Sequence, residues 1–422
     1  MQVLKIIKSS PAFVFPAVIN LVSLVAFTRL LTLEKYGQLS LALVSVELLQ
    51  GVLYSWVSMA MMRFYKNEEG TGALGVGLHF AAGITGGLLL AGGLVAGWGG
   101  HFLGLSAGLV AAILLGVVGR GVGNYVQDCY RMHYPDLTPY TWVTVAANAS
   151  FYLPAIAFLV WRRQSTTTEL LLVQASGLLL FLLVMGIRHQ RVVVQQLRLL
   201  RAKPAYVEFL EYGLPLVVSF ISLSMFLRID RFIVQHNVGA QALGAYSAAF
   251  SLSNLTISSF FLVLTLPTYP EILKKFNDGQ TEAATAIYHK NGRIILLVGG
   301  PLLLFSYFFN APLCRLFFGA EKGGNVAVLF PWVVLSTFLF NYKVHYFDQL
   351  YQFYKRTRVA MYLGIGVGLG HLGLGYVLSK EWGARGVSAS GMVLNGLAIA
   401  YTLYYSRFYL GQPSRSLALP SS

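Results

Sequence analysis

The stretch "FLRIDRFIVQHNVGAQALGAYSAAF", Phe226 to Phe250, sets Arg228, Asp230 and Arg231 among side chains that are otherwise strongly apolar. Charge inside an oily segment is expensive, and such residues usually face a bundle interior or a water-filled path. The surrounding composition shows which kind of protein carries them. Hydrophobic residues make up 56% of the chain and charged residues 11%, and the mean hydropathy is +0.63, which identifies a polytopic membrane protein.

A helix rising about 1.5 Å per residue needs roughly 20 apolar residues to cross the hydrocarbon. The charge-poor runs resolve into about twelve such spans, centred at roughly residues 21, 50, 85, 112, 150, 178, 223, 255, 300, 337, 367 and 394. Closed β-barrels are the other spanning solution, but runs such as "LLLVQASGLLLFLLVMGI" are apolar on every face and lack strict alternation. The expected class is therefore an all-α polytopic membrane protein. The start, "MQVLKIIKSSPAFVFPAVIN", has a basic head and an apolar run to Leu31 without a small-residue cleavage site, so it is expected to remain as the first span. Cys129 and Cys314 form neither a disulfide framework nor a metal site.

The net charge of +15 raises the question of nucleic acid, and the placement of the basic residues answers it. With the amino terminus inside, the cytoplasmic segments hold Lys5, Lys8, Arg63, Lys66, Arg131, the basic run from Arg188 to Lys203, Lys274, Lys275, Lys290, Arg293, Lys355 to Arg358, Arg407 and Arg415. The opposite side holds Lys35, Arg162, Arg163, Arg315, Lys322, Lys380 and Arg385. The positive-inside rule then places both termini in the cytoplasm and leaves no need for a nucleic-acid partner. The two longest inner segments, "RHQRVVVQQLRLLRAKPAYVEF" from Arg188 and "PTYPEILKKFNDGQTEAATAIYHKNGR" from Pro267, mix apolar and charged residues, as short helices on the membrane surface do. No extramembrane segment is long enough for a soluble catalytic domain, so no catalytic residues are expected.

The chain also repeats itself. "FTRLLTLEKYGQLSLALVSV" from Phe27 and "IDRFIVQHNVGAQALGAYSAAFSL" from Ile229 occupy the same place in each half, and "NYVQDCYR" at Asn124 answers "HYFDQLYQ" at His345, with Tyr125 and Tyr130 matching Tyr346 and Tyr351. The repeat implies two six-helix lobes, 1–188 and 209–422, around a central cavity and joined by a basic cytoplasmic linker, 189–208.

At these motifs the chain resembles the polysaccharide exporters, the flippases of O-antigen and related lipid-linked oligosaccharides, in the superfamily that includes multidrug and toxic-compound extruders and lipid II flippases. "FTRLLTLEKYGQLSLAL", "DRFIVQHNVGAQALGAYSAAF" and "LPTYPEI" carry the likeness. About twelve spans resemble the polysaccharide branch more than the lipid II flippases, which commonly have two more. The resemblance implies two bundles that open a cavity alternately to either side. It also implies a cargo of polyprenyl lipid, diphosphate and short glycan, in a bacterial inner membrane and among membrane lipids, with no cofactor and no enzymatic step.

Physical chemistry gives that cargo a set of partners. Sugar and diphosphate cannot cross hydrocarbon unaided. Arg29, Arg120, Arg228, Arg231 and Lys343 lie within or at the edges of spans and outnumber the acids there, which favours an anionic cargo, since guanidinium groups bind phosphate oxygens in pairs. Arg29, Arg228 and Arg231 are expected in the outer halves of the first helix of each lobe, and Arg120 and Lys343 towards the inner ends of the fourth helices. The competing reading for each is a side chain that reaches the interface. Glu47, Asp128 and Asp348 are the acids through which a proton or sodium gradient could be coupled, against simple ion pairing. "GIGVGLGHLGLG" from Gly364 has the glycine content of a nucleotide loop but sits in an apolar span, where it serves close helix packing. His79 and His371 lack neighbouring ligands, so no metal is expected. Two further functions compete with a flippase: a multidrug extruder, which should show carboxylates in its cavity, and a membrane glycosyltransferase or polymerase, which should show acids or metal ligands at a membrane surface.

Overall fold

The computed structural model describes residues 2–65, 71–98, 106–134, 138–162, 164–198, 203–354 and 356–407. Lys66, Arg163, Arg201, Lys355 and Arg415, which contribute to the charge asymmetry above, lie outside the described residues, as does the carboxy-terminal segment. The chain forms helices α1 (Gln2–Leu30), α2 (Leu33–Phe64), α3 (Thr71–Trp98), α4 (Ala107–His133), α5 (Thr138–Trp161), α6 (Thr167–Arg188), α7 (Gln190–Arg198) and α8 (Lys203–Asn237). It continues with α9 (Ala240–Ser253), α10 (Ser259–Asn277), α11 (Thr281–Phe308), α12 (Asn310–Phe318), α13 (Ala320–Tyr342), α14 (Asp348–Phe353), α15 (Thr357–Trp382) and α16 (Ala384–Tyr405). Single π-helical turns, Asn254–Ser258 and Lys343–Phe347, join α9 to α10 and α13 to α14 into continuous rods. No strand occurs among the described residues.

Ten helical segments among the described residues are long and apolar enough to cross a membrane. The long helices α1 and α8 complete the twelve-span pattern expected from the hydropathy. Large apolar side chains such as Leu90, Val263 and Leu297 stand more than 70% exposed, as lipid-facing residues do and as a water-exposed surface would not tolerate in such number. Polar side chains inside the spans return to the backbone: the hydroxyls of Thr28, Ser253 and Thr402 donate to the carbonyls of Leu24, Ala249 and Ala398 at 2.6, 2.7 and 2.8 Å. That is how a hydroxyl is satisfied where no water reaches it. In the first half, Thr32, Ser106 and Thr166 cap α2, α4 and α6, the last through a reciprocal capping box with Glu169.

The chain divides into two compact units, one comprising 1–232 with 240–244 and the other 233–239 with 245–422. In the first, Trp56, Met61, Val76, Tyr125 and Phe209 form an aromatic-rich core between α2, α3, α4 and α8. In the second, Ile272, Ala284, Tyr288 and Phe353 do so, with the Tyr288 and Tyr346 rings stacked at 4.2 Å.

The repeat noted in the sequence has a physical counterpart inside each unit. Tyr125 of α4 lies so close over Gly77 of α3 that a Cβ there would sit 2.6 Å from its hydroxyl; Tyr346 lies over Gly292 of α11 in the same way, at 2.5 Å. The Tyr130 hydroxyl meets His189 Nε2, just past α6, at 2.7 Å, and the Tyr351 hydroxyl donates to Thr402 of α16 at 3.0 Å. In each half, then, one tyrosine ties the fourth span to the third and another ties it to the sixth.

The inner segments divide. Residues 190–198 do form the short helix α7, with Val192 and Val194 exposed. His79 of α3 holds it: Nε2 donates to the Leu197 carbonyl at 2.9 Å, which leaves Nδ1 to accept from the Tyr206 hydroxyl at 3.2 Å. The segment from Pro267 departs from the expectation of a separate surface helix. It is the end of α10 and the start of α11, joined by a tight turn in which Gly279 takes φ 76°. A helix leaving the hydrocarbon shows the same mixture of apolar and charged residues as one lying on its surface, so composition alone did not separate them.

Candidate functional site

Within the first unit, α2 and α8 bring Glu47 and Arg228 together, although 181 residues separate them in sequence. One carboxylate oxygen, Oε2, accepts from Arg228 Nε at 3.3 Å and lies 3.2 Å from Nη2. The pair is partly accessible, with 24% of the arginine side chain and 37% of the glutamate exposed. Glu47 also acts electrostatically on Arg120 of α4. Arg120 is anchored separately: its guanidinium carbon lies 4.0 Å over the Phe151 ring, and Nη2 donates to the Tyr152 hydroxyl at 3.2 Å, while its buried Nε has no hydrogen-bond partner. Two guanidinium groups thus share the field of the Glu47 carboxylate within an apolar bundle.

In the second unit, Lys343 Nζ pairs with Asp348 Oδ2 at 2.7 Å across the π-helical turn. Both are inaccessible or nearly so, with 6% and 17% of their side chains exposed, and Asp348 Oδ1 has no partner. The other two arginines differ in setting: Arg29 is exposed one residue before the end of α1, and Arg231 is buried, 8% exposed. Arg120 departs from its expected place near the inner end of the fourth helix. Because α4 continues to His133, Arg120 stands at its midpoint. His371 is a satisfied core residue, its Nδ1 bonded to the Ser390 hydroxyl, and no cluster with metal-ligand composition occurs among the described residues.

Sequence reasoning took the charges one by one and missed the neutral polar residues between them. On α4, Arg120, Asn124, Gln127, Asp128 and Arg131 recur at i, i+4, i+7, i+8 and i+11, one helix face. On α2, Glu47, Gln50 and Ser58 fall on one side in the same manner. That periodicity, in spans this apolar, was the available signal.

Residues 6–276, well over half of the chain, match the family model described as Polysaccharide biosynthesis protein. The chain belongs to the polysaccharide biosynthesis protein family. Residues 215–377 also match the MatE model. No curated protein matches the sequence. Among solved structures, an inward-facing multidrug resistance MATE family transporter of the MOP superfamily is similar at TM-score 0.70 and 14% identity, over 96% of this chain and 98% of that one. The lipid II flippase MurJ, in an inward closed conformation, is similar at TM-score 0.74 and 13% identity, over 95% and 87%. A MOP superfamily transporter from Pyrococcus furiosus, described as having a binding pocket of reverse polarity, follows at TM-score 0.56 and 13% identity, over 96% and 94%. At such identities the likeness is one of fold. With the family match and the ten apolar helices it makes this member of the polysaccharide biosynthesis protein family a multi-pass membrane protein with the fold of those transporters, as the motifs around Phe27 and Asp230 led one to expect.

Proposed function

We propose that the protein is a flippase that moves a polyprenyl-diphosphate-linked oligosaccharide from the cytoplasmic to the outer leaflet of a bacterial inner membrane, by alternating access, for synthesis of a surface polysaccharide such as O-antigen or exopolysaccharide. One observation supports this reading above the others: Arg228 pairs with Glu47 and Arg120 lies in the field of the same carboxylate, so that two guanidinium groups gather around one acid within apolar spans. Positive charge in such a place is stabilised by an anionic ligand, and planar guanidinium groups fit the paired oxygens of a diphosphate. Arg29 and Arg231, at the far ends of α1 and α8, would extend that path. Glu47 and Asp348, each held by one basic side chain, are the leading acids for coupling, because a proton on either breaks its ion pair. Protonated Glu47 would release Arg228 to the cargo; Asp128 is the third such acid, and sodium is the alternative ion.

The match to the MatE model favours a second reading, multidrug extrusion. An exporter of organic cations needs carboxylates open to its cargo; Glu47 and Asp348 already hold Arg228 and Lys343, and Asp128, which does line a cavity, lies in the field of Arg131. The flippase reading is therefore preferred.

The test is to deplete the protein in its host and measure the amount and membrane side of lipid-linked oligosaccharides, with Arg120→Ala and Arg228→Ala complementation. Depletion should build up oligosaccharide on the cytoplasmic leaflet. Each well-expressed variant should transport roughly 10- to 100-fold more slowly, the equivalent of a lost charge-assisted hydrogen bond of about 1.5–3 kcal/mol. Normal arrival of completed units on the outer leaflet in depleted cells would overturn the assignment.

A further inference from the structure

The two polar faces of α2 and α4 line an open cavity of about 360 Å³ in the first unit, at the Phe64 end of α2. Its polar lining comes from Gln50, Ser55, Ser58, Asn124, Gln127 and Asp128, with Tyr140 beside them and methionines 59 and 62 as the apolar part. The volume falls within the range of about 300–1,000 Å³ common to small-molecule sites. Amide and hydroxyl groups along about two turns of α2 and one turn of α4 exchange hydrogen bonds with water or with a hydroxyl-bearing occupant of this open cavity, since an unsatisfied polar wall is costly in a membrane span.

Charge decides what the occupant is. None of the lining residues is basic, so the cavity is unsuited to phosphate, and Asp128 repels an anion outright. The Ser58 hydroxyl donates to the Asp128 carboxylate, and Gln50 Nε2 donates to Ser55 Oγ at 3.4 Å, which fixes donors and acceptors around the space. A neutral polyhydroxyl compound matches this wall: amides and hydroxyls each give and take hydrogen bonds, and a carboxylate accepts from two adjacent hydroxyls at once. The spacing to the guanidinium pair is also set. Glu47 to Ser58 is about 16 Å along α2 and Arg120 to Asp128 about 12 Å along α4, at about 1.5 Å per residue. A short glycan attached to a diphosphate held at Arg120 and Arg228 spans that distance.

We infer that this cavity is a saccharide subsite, holding a neutral sugar of the cargo glycan while the arginines hold its diphosphate. This rests on the flippase reading, and it adds to it the source of glycan recognition: the arginines recognise a diphosphate common to many lipid-linked glycans, and the amide-lined cavity selects among the sugars.

The experiment measures binding of farnesyl diphosphate, bare or carrying glucose, galactose or N-acetylglucosamine, to the purified full chain and to Asn124→Ala and Gln127→Ala. Asn124 is exposed on the cavity side and Gln127 Nε2 donates to the Gly123 carbonyl of its own helix, so neither change removes an apolar packing contact of the core. Thermal unfolding and binding of the bare diphosphate verify that each variant is intact. The expected result is at least one sugar-bearing probe binding about tenfold more tightly than the bare diphosphate, about 1.4 kcal/mol. That difference should vanish in the variants, with bare diphosphate affinity unchanged. Equal binding of all probes to the unaltered chain overturns the subsite and leaves the flippase reading standing. Binding of none overturns both. If sodium chloride rather than choline chloride stabilises the chain, Asp128→Asn abolishes that effect and the sugars do not discriminate, the cavity is a cation site and the inference falls.

Discussion

Replacing Lys343 with methionine is expected to destabilise the protein by about 3–5 kcal/mol, the magnitude seen when one member of a buried ion pair is removed. Nζ is 2.7 Å from Asp348 Oδ2 and both side chains are largely withdrawn from solvent, so the change strands a carboxylate whose second oxygen already lacks a partner. The double change Lys343→Met with Asp348→Leu should recover most of the loss, because removing both charges also removes the desolvation that opposed them. In a Cys129→Ser background a thiol-reactive dye reports the unfolding, since Cys129 is half-buried and Cys314 is fully buried. The single variant should melt on the order of 10 °C lower, at about 2–4 °C per kcal/mol for a unit of this size. A single variant that melts with the unaltered chain would show the pair to be solvated in the membrane, and the proposed coupling role of Asp348 would lose its physical basis. Transport separates the two roles: a purely structural pair predicts that the stable double variant still transports, whereas an Asp348 that takes the coupling ion predicts that it does not.

How far the sequence carried this architecture depended on the range of the interactions involved. Span number and helical class follow from local hydropathy, and each expected centre lies within one of the twelve long helical rods. The tyrosine echo was legible because Tyr125 and Tyr346, and Tyr130 and Tyr351, perform the same contact in each half, and equal contacts preserve equal residue types. What was not legible is long-range. Nothing local indicates that Arg228 meets Glu47 or that Arg120 lies over Phe151, because each pairing depends on how separate helices pack. The midpoint position of Arg120 escaped for a different reason: the polar face after Gly119 lowered the hydropathy and shifted the estimated centre of the span, although the helix runs on through it. The same polar face lines the cavity, so the signal that displaced the estimate was the trace of the site.

The second large effect concerns a residue with no polar atom in its side chain. Gly386 of α16 is expected to resist even alanine, while Gly396, on the same helix, should accept it. A Cβ at Gly386 would lie 2.1 Å from the Leu378 carbonyl oxygen and 2.4 Å from its carbon in α15, and at Gly396 it would meet nothing within 4 Å. The obstacle at Gly386 is backbone, which cannot turn aside as a side chain does, so α15 and α16 must separate. Overpacking of this kind costs about 1–3 kcal/mol and occasionally more, against the gain of up to about 1 kcal/mol that alanine brings to a helix interior. Gly386→Ala should therefore lower the melting temperature and Gly396→Ala should leave it unchanged or raise it. Gly177 in the first unit, where a Cβ would lie 2.1 Å from the Ser150 carbonyl oxygen, should behave as Gly386 does. Without a hydrophobic force between helices in lipid, their association depends on such close approach. If Gly386→Ala and Gly396→Ala melt alike, the hairpin of α15 and α16 is held by its side-chain contacts and connecting turn, and close backbone packing is not what joins these two spans.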